Sequence, residues 1–140
     1  PRRLSALGTV RTMPYPGFPT DAQAPFLAMA LTASGTSVFV ENIFESRYKH
    51  VSELLRMGGR VEVQGRVAVV EGVPRLCGAG VAATELRGGA ALVLAALAAE
   101  GESSISGVQF IDRGYENLEG FLTQLGARIK RVPCDEKSQE

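Results

Sequence analysis

The chain has 140 residues, with 15 Lys and Arg against 15 Asp and Glu, long enough for one domain that hides well over half of its surface. Its 45% hydrophobic and 21% charged residues are those of an ordinary globular protein. A net charge of +0 leaves no long-range field to draw it onto nucleic acid or an acidic membrane, which excludes both as partners at this stage.

In chain order, Pro1-Arg2-Arg3-Leu4 lacks an initiator Met and the apolar core of a signal peptide, so the chain reads as an excised piece. Thr20 and Gln23 make a capping-box pattern. The apolar run over 26–34 then predicts a helix, with Pro25 unsettling its first turn and Gly35 as its left-handed stop. Residues 37–41, short and β-branched, predict a strand. Tyr48, Val51, Leu54 and Leu55 share one helical face and predict a helix over 47–57, closed by Gly58-Gly59. Arg60–Gln64 and Val67–Glu71 are predicted as a hairpin turning at Gly65-Arg66. Thr84 is expected to cap a second helix over 85–100, stopped at Gly101. A strand over 103–106, a helix over 114–125, a strand over 128–132 and a polar, frayed tail over 134–140 complete the plan.

These elements repeat with a period of roughly 65 residues. Thr20-Asp21 matches Thr84-Glu85, Gly35-Thr36 matches Gly101-Glu102, Glu45-Ser46-Arg47 matches Ile111-Asp112-Arg113, and Met57 to Val61 matches Leu125 to Ile129. The reading is an α/β fold of two βαβαββ-type units, one over about 14–72 and one over about 79–132, followed by a tail over 133–140. One helix in each unit is apolar on nearly all faces and must be buried. The longest apolar stretch, 90–99, is too short to span a bilayer.

Lys49, Lys130 and Lys137 are the only lysines, and every other basic residue is Arg. That bias suits a high-GC genome as well as an anion site. Arg47, Arg87 and Arg113 fall at or before predicted helix N-termini, where the helix dipole disfavours a cation unless an anion intervenes. Either a phosphate- or carboxylate-bearing ligand gathers them, or the neighbouring Glu45, Glu85 and Asp112 pair with them or with the caps. Asp21 either answers the dipole of its own helix or serves as a rigidly held general base. Gly78 to Ala83 fits G-x-G-x-x-A, but Pro74 and Thr84 give it the wrong context for dinucleotide binding. His50 reads as a surface or satisfied histidine of an outer helix. Cys77 and Cys134 are far apart, and neither belongs to a metal or redox motif.

Pro14 to Ala24, Glu41 to Val51, Thr84 to Arg87 and Asp112 to Glu116, taken together and in order, resemble the C-terminal part of the UDP-N-acetylglucosamine 1-carboxyvinyltransferase family. The resemblance runs through Val132. It implies an inside-out α/β barrel domain of three repeats, of which two are here, facing an N-terminal domain across an active-site cleft. It implies a cytoplasmic transferase of peptidoglycan synthesis. The enolpyruvyl group of phosphoenolpyruvate moves to the 3-hydroxyl of UDP-N-acetylglucosamine, phosphate leaves, and no metal or other cofactor takes part. On the matched positions, Asp21 deprotonates the hydroxyl, Ile43 contacts the UDP-sugar, Arg87 and Arg113 bind phosphoenolpyruvate, and Arg47 is a further cleft arginine. Glu85 stands where the family commonly has Asp, and Gly88-Gly89 where it commonly has Ala-Ser or Ala-Gly. The family's Lys-Asn pair and the loop carrying its Cys proton donor have no match in the chain, so the chain alone is expected to be inactive. Another enolpyruvyl transferase, such as 3-phosphoshikimate 1-carboxyvinyltransferase, or a non-catalytic module of the same fold remain as alternatives.

Overall fold

A computed structural model describes residues 3–133; the tail expected to fray, 134–140, lies outside the described residues. The first unit runs β1 (Thr9–Arg11), α1 (Thr20–Ala30), β2 (Thr36–Val40), α2 (Val51–Arg56), β3 (Arg60–Gln64) and β4 (Val67–Glu71). Its four strands form one sheet in the order β1-β2-β4-β3. β1 and β2 run parallel, and the β3–β4 hairpin is antiparallel with its turn at Gly65, whose φ of 58° suits a glycine-led tight turn. The second unit runs β5 (Gly80–Ala82), α3 (Leu86–Ala98), β6 (Ser104–Ser106), α4 (Val108–Asp112) and α5 (Leu118–Gln124). β5 pairs with β6 in parallel, so β1-α1-β2 and β5-α3-β6 share the same parallel β-α-β order, with β1 lying ahead of the start near residue 14 expected for the first unit.

The two apolar helices, α1 and α3, pack on each other. Ala24, Leu27, Ala28 and Leu31 meet a core that includes Ala91, Leu92 and Ala95, and alanines on both helices let the axes approach. Each buried leucine contributes about 1.5–3 kcal/mol relative to exposure. Against them lies the sheet, where Phe39 of β2 pairs with the small Ala68 of β4, both fully buried.

The boundaries differ from expectation where neighbouring segments claim the backbone. α1 ends at Ala30, before Ser34, because Leu31 O accepts from Val73 N–H at 2.8 Å and Ser34 N–H donates to Leu4 O at 2.6 Å. Residues 47–50 form a turn ahead of α2: the Tyr48 hydroxyl donates to Phe39 O (3.1 Å) and Arg66 O (2.9 Å), holding that segment against the hairpin. The helix expected over 114–125 begins only at Leu118, after Asn117 in the left-handed region (φ 54°). Residues 128–132 carry no ladder among the described residues and line one wall of an apolar groove of about 820 Å³, with Val93, Leu97, Ile105 and Leu118 among its other walls. No helix among the described residues is long and apolar enough to cross a membrane.

Candidate active site

Because α1 and α3 lie together, their first turns meet, and the guanidinium Nε–H of Arg87 donates to Asp21 Oδ1 at 2.5 Å. Asp21 sits in the first turn of α1, where the dipole favours a carboxylate. Arg87 is second in α3, where the dipole opposes a cation and only an anion makes the position favourable. In this structure the anion is Asp21. The side chains are 69% and 32% exposed, so the pair contributes at most about 1 kcal/mol and gives way readily to a competing ligand.

The N-cap of α3 is Glu85, not Thr84. Its extended backbone (φ −157°) lets the carboxylate turn back over the helix start, accepting from Arg87 N–H at 3.0 Å and Gly88 N–H at 2.5 Å. A glutamate is one methylene longer than the usual aspartate cap, and Gly88 makes the room. A Cβ on residue 88 would lie 2.2 Å from Glu85 Oε1 and 2.9 Å from His50 Cβ.

The capping box at Thr20 does not form. The N-cap of α1 is Pro19 and makes no side-chain cap. The Thr20 hydroxyl instead donates to Glu41 Oε1 at 2.8 Å. That same oxygen accepts from the backbone N–H groups of Ile43 and Phe44, both at 3.2 Å. The next segment is fixed from the other side, because Asn42 N–H donates to the buried Thr12 hydroxyl at 2.8 Å. Ile43 is thereby held in fixed relation to the start of α1. Arg47 sits on the same loop with its guanidinium over the Phe44 ring at 4.4 Å, at a cleft of about 270 Å³ that Glu41, Tyr48 and Arg66 also line. It has no hydrogen bond to Asp21, Arg87 or Arg113 among the described residues.

Arg113 departs from expectation. It follows α4 directly and so occupies a helix C-terminus, where a cation is favoured and the argument from a misplaced charge does not apply. Its guanidinium lies 5.0 Å over the Phe110 ring. The adjacent Asp112 is taken by Arg131, through bonds of 2.9 and 2.8 Å, and Glu119 joins the same guanidinium. The next residue, Gly114, packs on Leu86, which precedes Arg87; a Cβ on Gly114 would lie 2.6 Å from Leu86 Cδ2. Asp21 and Arg87 are thus in contact, Ile43 is tied to the start of α1 through Glu41 and Thr20, and neither Arg113 nor Arg47 bonds to Asp21 among the described residues.

His50 is neither exposed nor satisfied. It precedes α2, is 3% exposed, and neither ring nitrogen has a partner. Burial pushes its imidazole down to about 4 from the ordinary 6.5, with the Glu85 carboxylate opposing. Between those values the unfolded chain binds a proton that the folded chain refuses, so stability is lost as pH falls through that window. The loss is about 3 kcal/mol in all. Urea midpoints at pH 7 and pH near 4.5 are expected to differ less in His50→Leu than in the parent, and equal differences would refute this origin.

Sequence reasoning missed Glu41, although its signal was present: Ser37, Phe39 and Glu41 are the inward, buried members of a period-two run. The G-x-G-x-x-A stretch opens strand β5 instead of a helix, in line with its dismissal. Cys77 is a free, exposed thiol.

A profile of the family described as EPSP synthase (3-phosphoshikimate 1-carboxyvinyltransferase) matches residues 3–125. The UDP-N-acetylglucosamine 1-carboxyvinyltransferase of Desulfofundulus thermocisternus is 64% identical over 129 residues, covering 92% of this chain and 53% of its own length. Its counterpart numbered 1 in Symbiobacterium thermophilum is 56% identical over 132 residues, covering 94% of this chain and 30% of its own. The chain therefore spans about half, or less, of these curated relatives. Among solved structures, the enolpyruvyl transferase NikO from Streptomyces tendae superposes with a TM-score of 0.79 at 31% identity, over 91% of this chain and 29% of that one. EPSP synthase from Acinetobacter baumannii, at 21% identity and a TM-score of 0.55, shares the fold.

Proposed function

From the premise that the chain belongs to the EPSP synthase (3-phosphoshikimate 1-carboxyvinyltransferase) family, we propose that it is the two-repeat portion of an enolpyruvyl transferase domain whose acceptor is UDP-N-acetylglucosamine. The observation that carries the reading is the meeting of Asp21 and Arg87 where the first turns of α1 and α3 adjoin. The high identity to relatives that bear the name of that reaction supports the choice of acceptor.

Phosphoenolpyruvate brings a carboxylate and a phosphate. Arg87 turns from Asp21 to one of these groups, with the fork geometry that suits either, and Arg113 approaches from the end of α4. Asp21, released from its partner, accepts the proton of the sugar 3-hydroxyl as the oxygen bonds to C2 of phosphoenolpyruvate, while C3 takes a proton. Loss of a proton from C3 and departure of phosphate restore the double bond, and the arginines stabilise the charge that leaves. Ile43 supplies an apolar contact for the UDP-sugar, and Arg47, farther along the same loop, a further cation. The proton donor to C3 lies on the facing N-terminal domain. The setting is the cytoplasm, where both substrates are made, and the product feeds peptidoglycan synthesis and hence cell shape and division.

The test is phosphate release from phosphoenolpyruvate by the complete polypeptide that carries this chain. Release that requires UDP-N-acetylglucosamine is expected. Release with 3-phosphoshikimate instead would move the acceptor to that alcohol, and no release with either would favour a non-catalytic module. The 140-residue chain by itself is expected to release none.

A further inference from the structure

A carboxylate that is 99% hidden is unusual unless several groups hold it, and Glu41, 1% exposed at the end of β2, is such a group. One of its oxygens gathers all its bonds, from the Thr20 hydroxyl and from the amides of Ile43 and Phe44. The other oxygen, Oε2, is buried without a partner among the described residues. Thr20 is the residue before the proposed base, and Ile43 is the proposed contact for the acceptor sugar. The two sit on separate elements, a helix start and a loop after a strand, and Glu41 is the one side chain among the described residues that bonds to both.

We propose that Glu41 is a positioning residue that sets the distance between the base, Asp21, and the acceptor seat at Ile43. This rests on the reading of Asp21 and Ile43 given above. Glu41 touches no substrate; it fixes where the hydroxyl lies relative to the carboxylate. A misplacement of about 1 Å at a reacting centre costs about 100-fold in rate.

The complete polypeptide carrying Glu41→Met is expected to lose about 100-fold in kcat and to bind the UDP-sugar more weakly, while KM for phosphoenolpyruvate stays within about threefold. Glu41→Gln keeps an oxygen where all three donors point and should recover at least about tenfold of that loss. Thr20→Val cuts the tie on the helix side alone; it should lower kcat by itself and add little in the Glu41→Met background, since both act through one linkage. A kcat for Glu41→Met within about threefold of the parent, a loss confined to phosphoenolpyruvate KM, or effects of Thr20→Val and Glu41→Met that simply multiply would each overturn the proposal. Should Glu41→Met fail to fold, Thr20→Val decides, and an unchanged kcat there is a refutation. Asp21→Asn measured alongside separates the two levels. Full activity in that variant sinks the functional reading, whereas its loss together with a harmless Thr20→Val and Glu41→Met sinks positioning only.

Discussion

Asp21→Asn in the complete polypeptide is expected to lower kcat by about 100- to 10,000-fold, the usual contribution of a positioned general base. Asparagine is nearly the same shape and can still accept the Arg87 N–H, so the arrangement at the two helix starts survives while the proton acceptor is gone. Asp21 is well exposed and, among the described residues, bonds to no side chain but Arg87, so its loss forfeits about 0.3–1 kcal/mol of helix-dipole stabilisation and little else. Substrate KM values should move by no more than a few fold. Steady-state kinetics beside a thermal melt make the check: a variant that melts near the parent yet turns over within about threefold of it would remove Asp21 from the chemistry.

Arg87→Ala is expected to cut kcat/KM for phosphoenolpyruvate by about 100- to 1,000-fold, and Arg87→Lys to restore little, because an ammonium cannot make the paired contacts of the guanidinium fork. Stability should not fall with it. Taking a cation out of the first turn of α3 relieves an unfavourable interaction of about 0.3–1 kcal/mol, and the exposed pair given up in exchange is of similar size. A variant whose melting temperature holds or rises while activity collapses identifies a residue kept for its ligand. A variant that loses stability and activity together would instead make Arg87 a structural partner of Asp21.

What could be read from the residues depended on whether local chemistry or a distant segment decided the outcome. The β3–β4 hairpin came out at its expected bounds because Gly65 sits between two runs that alternate into one sheet. The buried character of α1 and α3 followed from their all-round apolarity. By contrast, Thr20 looked like a cap because a hydroxyl at a helix start normally serves its own backbone; only the fold reveals that Glu41 claims it from another strand. Glu41 itself was hidden by its charge, which at the end of a short strand suggests solvent. Arg113 was assigned to a helix start because 114–125 looked like one helix; the chain places α4 before it and leaves it at a helix end. Residues 128–132 have the β-branched look of a strand, but a strand exists only with a ladder partner.

The cap of α3 bears on how this protein tolerates change. Glu85 reaches back over the helix through the space left bare at position 88, where a methyl carbon would lie 2.2 Å from its Oε1 and 2.9 Å from His50 Cβ, so a methyl group there would make the carboxylate shift from its place over the helix start. The side chain at 85 and the bare position at 88 therefore work as one unit. An exchange at either position is felt at the other, and the two amides that open α3 are what register it.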